Sequence, residues 1–211
     1  MLALLLLAAA PVCAQDAGPI LVIGREPIAL EQAAPAPSQG IDITFAYLEE
    51  TGWSGEEIRP AVVQVARILG QCGVALRAAE LVRVSAPARF RDFLTSVSRQ
   101  LAATLRLAKP TVYFVAGTRQ RPAFDAEAIG RGNSRTRPEL ADTVWVTRGT
   151  RDLGIALAHE LTHVLMDSGE HSGEPGNLMR EDTAPGNTRL SDAQCAQLRG
   201  TGSANGLLKP P

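Results

Sequence analysis

The chain has 211 residues, 45% hydrophobic and 20% charged, a globular composition sized for about one domain that excludes a disordered tail protein or a collagen. Its 21 basic and 22 acidic side chains leave a formal net charge of -1, so no chain-wide field draws in nucleic acid or an anionic membrane. Aromatic residues make up 4%, which gives no row of stacking platforms for bases and leaves the core to Ala, Val, Leu and Ile.

Residues 1–14 form an apolar run interrupted by Pro11 and ending in Val12-Cys13-Ala14, the small-x-small pattern of a signal-peptidase site. It is too short to span a bilayer, so it is expected to leave with cleavage before Gln15 and to retain no membrane insertion. Export implies a secreted or periplasmic location in a bacterium. With Cys13 removed, Cys72 and Cys195 are the only thiols. They either form one bridge or stay apart as small buried side chains; the bridge is carried forward as the expectation.

Residues 15–40, with an apolar stretch at 19–23 and an Ala/Pro-rich run at 33–40, read as a loosely tethered lead-in. The folded unit is expected over 41–200, with a Gly/Pro-rich tail at 201–211. Ile41, Ile43 and Phe45 alternate with polar and small residues as in a half-buried strand. Ser54 and Glu57 then form a capping box ahead of Ile58, Val62, Val65, Ile68 and Leu69 at helical spacing, ending at Gly70. Residues 73–84 are strand-like, 88–107 carry a second helical pattern ended by Lys109-Pro110, and 111–116 read as a buried strand.

A polar loop at 117–138 holds Arg119, Arg121, Arg131, Arg135 and Arg137, read as a solvated surface or as a site for acidic groups. Another strand at 143–147 precedes a helix expected over 153–168 with Asp152 as N-cap. Ser191 and Gln194 signal a last short helix.

The chemistry concentrates in the helix over 153–168, which contains His159-Glu160-x-x-His163. Residues four apart share a helix face, so the two imidazoles can converge on one ion, and zinc suits them. Glu160 lies about 100° round the axis from His159, where its carboxylate can reach a water without displacing it. The third and last histidine of the chain, His171, follows Gly169, which is expected to end the helix in a left-handed turn. Solvated or core histidines have no reason to cluster in this way.

This H-E-x-x-H helix, the glycine expected to end it, the third histidine and the Asn177-Leu178-Met179 run resemble a zincin metallopeptidase on the metzincin side. The resemblance implies an α/β (α+β) zincin-like domain: a mixed twisted sheet, helix A, a long active-site helix and a short C-terminal helix. It implies one Zn2+ per chain on His159, His163 and His171, Glu160 as general base, and Met179 in a turn beneath the histidines. Substrate would lie extended along an edge strand near 143–147. The metzincin pattern H-E-x-x-H-x-x-G-x-x-H is varied here, because Met166 stands at its glycine and Gly169 at its third histidine. The helix is therefore expected to run most of a turn further. Asp167, Glu170 and Glu174 are alternative oxygen ligands, and Tyr47 and Tyr113 are read as sheet residues without a catalytic role.

The reading is an exported zinc-dependent endopeptidase whose partner is a protein or peptide substrate, with no feature that fixes an oligomeric state. A zinc amidase acting on cell-wall peptides would use the same ligands and base. A secreted zinc-binding protein without turnover would keep the ligands but has no need of Glu160.

Overall fold

The parallel strands at the centre of the sheet are apolar on both faces, as strands covered on both sides must be. β2 (Gln39–Leu48) turns Ile41, Ile43 and Phe45 to one core and Ala46 and Leu48 to another. β5 (Thr111–Phe114) and β8 (Thr143–Val146) repeat the division, with Val112, Phe114, Val144 and Val146 on the first side and Tyr113 and Trp145 on the second. The half-buried strand expected at 41–46 is thus buried on both faces. In this computed structural model the described residues are 18–30, 38–119, 128–131 and 137–210, with only the backbone described at 128–131. The predicted signal segment lies outside them.

With β1 (Leu21–Pro27), β3 (Val74–Ser85) and β7 (Ala128–Arg131), the sheet has the order β1-β3-β2-β5-β8-β7. Its four inner strands are parallel and its two outer strands antiparallel to their neighbours. α1 (Gly55–Gly70) starts at the predicted capping box, where Ser54 Oγ accepts from Glu57 N and Glu57 Oε2 from Ser54 N. It packs with α3 (Leu153–Met166) and α4 (Asp192–Ala204) on the first face, while α2 (Thr95–Leu105) covers the second. The result is a three-layered mixed α/β domain.

Several expectations are corrected. The second helix starts at Thr95, not near 88: residues 88–90 form a 3-10 turn, and β4 (Asp92–Phe93) pairs with β6 (Gly117–Thr118). Phe90, on the 3-10 turn, and Phe93, on β4, fill the second core from outside the α-helix at a spacing that mimics a helical one. The polar loop contains β7, so the strand at 143–146 is an interior strand and β7 is the outer one.

The expected lead-in supplies β1, anchored to β3 by Arg25 on Glu80 at 2.5 Å and to α1 by Arg59 on Glu26. The tail also docks. α4 runs past Gly200 to Ala204, Leu207 and Leu208 are buried, and Lys209 exchanges backbone hydrogen bonds of 2.8 and 2.9 Å with Gly40. A Cβ on Gly202 would meet the Leu208 side chain at 2.9 Å, so the absence of a side chain at Gly202 lets Leu208 pack closely on α4.

Cys72 and Cys195 form the expected disulfide, joining the end of α1 to the first turns of α4. Beside it, Gln71 Nε2 donates to Thr188 O at 2.7 Å and Arg199 Nη1 to Cys72 O at 2.9 Å. No helix among the described residues is long and apolar enough to cross a membrane.

Candidate metal centre

α3 is buried nearly all round, as its run of Leu, Ile, Ala and Val demands. A Cβ on its second residue, Gly154, would overlap the Gln64 side chain of α1, so the two helices approach closely there. Asp152 stands at the N-cap position, but its side chain makes no cap bond; its carbonyl accepts from Ile155 N at 2.8 Å and Ala156 N at 3.0 Å.

The helix carries two ionisable side chains into a buried setting, His159 at 3% and Glu160 at 8% exposure, with His163 half-buried one turn on. The helix ends at Met166, and the left-handed residue that caps it is Asp167 (φ 47), not Gly169. Asp tolerates this conformation, and the closure is a Schellman pair: Asp167 N donates to Val164 O at 3.3 Å and Ser168 N to His163 O at 3.2 Å. The extra turn expected beyond Met166 is therefore absent. The early stop has a chemical consequence, because it sets the carbonyl of Ser168 where His163 Nδ1 donates to it at 2.7 Å.

The chain then doubles back and brings His171, itself exposed, to the other two histidines. His163 Nε2 lies 2.9 Å from His159 Nε2 and 3.3 Å from His171 Nε2, and one ligand atom from each residue falls within 4.8 Å of the others. Asp167, Glu170 and Glu174, the alternative ligands, are not part of this group.

Past His171 the Asn177-Leu178-Met179 run passes beneath the cluster. Leu178 O accepts from His159 Nδ1 at 2.8 Å, Met179 O from Ser172 N at 2.7 Å, and Met179 is 1% exposed in the main core. Met179 lies in a turn of the backbone. The carbonyls of Leu178 and Ser168, which the sequence alone did not single out, orient His159 and His163.

Each of these Nδ1–H groups is tied to a carbonyl, so the Nε2 lone pairs of His159 and His163 face the centre of the cluster. Burial, offset in part by the bond to Leu178, pushes the His159 imidazole below its ordinary value. Burial and then the neighbouring His159 bring His163 down to about 4. Both rings are neutral at pH 7, the form that binds metal.

The donor set fits zinc. Two zinc–nitrogen bonds at a tetrahedral angle hold their nitrogens about 3.3 Å apart, and three imidazoles leave a fourth position open. Glu160 directly follows His159 on this helix.

Tyr113 stacks on Trp145 at 4.2 Å in the second core, and Tyr47 packs against the first, so both are sheet residues as read. Arg119 donates to Asp92 at 3.0 Å, and the side chains of Arg121, Arg131 and Arg135 lie outside the described residues.

The crystal structure of metalloproteinase-II from Bacteroides fragilis is similar to this chain with a TM-score of 0.53 and 16% identity, over 83% of this chain and 56% of that one. The chain therefore spans just over half the length of that neighbour. No family model and no curated protein matches the sequence. At this identity the likeness is one of fold alone, that of a mixed α/β domain.

Proposed function

We propose that this chain is a zinc-dependent endopeptidase. The observation that carries the reading is the convergence of His159, His163 and His171, with Glu160 next to the first of them on a buried helix. The shared fold of the Bacteroides metalloproteinase supports it. When bound, zinc supplies a Lewis acid that polarises a carbonyl and acidifies a water.

The protein's own contribution is proton transfer and orientation. Glu160 accepts a proton as the water oxygen bonds to the scissile carbonyl carbon, and delivers it to the amine as the C–N bond breaks. Ser168 and Leu178 hold the rings of His163 and His159 through the chemistry, so these two rings need no ordering in the reaction step. An extended peptide would pair along β7, since both sides of β8 are taken.

Export belongs to the same proposal, and the Cys72–Cys195 bond supports it because disulfides persist in oxidising compartments. N-terminal sequencing of the exported protein should begin at Gln15.

Profiling a mixed peptide library and cell-wall peptides, with and without chelator, tests the activity. Chelator-sensitive cleavage of ordinary peptide bonds is expected. Cleavage confined to cell-wall peptides would make the protein an amidase, and zinc binding without any cleavage would make it a binding protein.

A further inference from the structure

We propose that Gln194, on the first turn of α4, is a positioning residue for the histidine cluster and acts through Asn177. The inference rests on the zinc reading above. Asn177 is 7% exposed, and its carboxamide pairs with that of Gln194 in both directions: Asn177 Nδ2 donates to Gln194 Oε1 at 2.9 Å, and Gln194 Nε2 donates to Asn177 Oδ1 at 3.2 Å.

Two backbone donors dictate which way each amide faces. Met179 N donates to Asn177 Oδ1 at 2.8 Å and Ser191 N donates to Gln194 Oε1 at 2.8 Å, so flipping either amide would set donor against donor. Gln194 therefore does two jobs with one side chain, closing the capping box of α4 and gripping the turn beneath the histidines.

The grip reaches two of the three histidines. Residues 177–179 carry the Leu178 carbonyl on His159 Nδ1 and the Met179 carbonyl on Ser172 N, next to His171. On its other side Leu178 N donates to Arg189 O at 2.7 Å, Arg189 N to Gly176 O at 3.1 Å and Arg189 Nη2 to Pro175 O at 2.7 Å. That ladder fixes one edge of the run. The amide pair fixes its second edge, and with it the direction from which the Leu178 carbonyl meets His159. Each amide oxygen of the pair accepts two hydrogen bonds and each amide nitrogen donates one, and a network bonded in this way specifies one geometry.

Capping and positioning can be separated by substitution in the full-length chain. Gln194→Glu keeps an acceptor for Ser191 N but turns a second oxygen toward Asn177 Oδ1; Ser191→Ala removes half of the capping box and leaves the amide pair. The measurements are zinc affinity by competition with a chromophoric chelator, the visible spectrum of the Co(II)-substituted protein, and thermal melting.

Gln194→Glu and Asn177→Ala are expected to weaken zinc binding about tenfold, the low end for groups that orient a ligand from outside, and to alter the Co(II) spectrum. Ser191→Ala is expected to lower the melting temperature and keep wild-type zinc affinity. Wild-type affinity in both Gln194→Glu and Asn177→Ala, or an equal loss in Ser191→Ala, would overturn the positioning role. If Asn177→Ala does not fold, Gln194→Glu decides alone. A wild type that binds no zinc removes this inference together with the zinc reading, whereas one that binds zinc without cleaving peptides removes only the peptidase reading.

Discussion

His163 donates from Nδ1 to the carbonyl of Ser168, five residues further along the chain, at 2.7 Å. The bond favours the charged ring, but burial outweighs it and brings His163 from an ordinary 6.5 down to about 4. A folded-state value below the unfolded one means that the unfolded chain binds more protons between the two. The metal-free protein should therefore lose stability as pH falls from 6.5 through about 4, with His159 adding in the same direction. Melting temperatures of the chelated protein across this range measure it, and His163→Asn should flatten the profile. A wild-type profile flat across the range would contradict the assignment.

Cys72 and Cys195 are 123 residues apart in sequence, and their bond ties α1 to α4 across the first core. Closing a loop of that size restricts the unfolded chain by about 5 kcal/mol. For a domain of this length the double variant Cys72→Ala/Cys195→Ala should melt roughly 10–20 °C lower. An unchanged melting temperature would show that the surrounding bonds of Gln71 and Arg199 already do the work.

The third ligand can be tested against its carboxylate neighbours. His171→Ala should weaken zinc binding by more than about 100-fold, since losing a direct ligand exceeds the loss of a group that only orients one. Asp167→Asn, which tolerates the left-handed conformation, Glu170→Ala and Glu174→Ala should each stay near wild type. Isothermal titration with zinc measures all four, and a carboxylate variant that loses more than His171→Ala would reassign the ligand.

What could be read from the sequence was what local chemistry dictates. The capping boxes of α1 and α4 depend on residues three apart, and the histidine pair on α3 depends on helical spacing alone, so each was visible without tertiary contacts. What was missed depends on distant partners. β7 is four residues long amid Gly and Arg, and only its pairing with β8 makes it a strand. The docked tail needs Gly202 against Leu208 and Lys209 against Gly40. The end of α3 at Asp167 was hidden because glycine is the usual left-handed residue and Gly169 stood nearby. Asn177 and Gln194 were both in view, one in the turn and one in a cap, but nothing local joins residues 17 positions apart.

The most direct test of the account is Glu160→Gln, measured for bound zinc and for peptide hydrolysis on the same preparation. Gln keeps the size and the hydrogen-bonding capacity of the side chain and removes the base. One zinc per chain, a wild-type melting temperature and a kcat reduced by at least about 100-fold are predicted. A Gln variant that holds zinc and hydrolyses peptides at the wild-type rate would contradict the proposed mechanism.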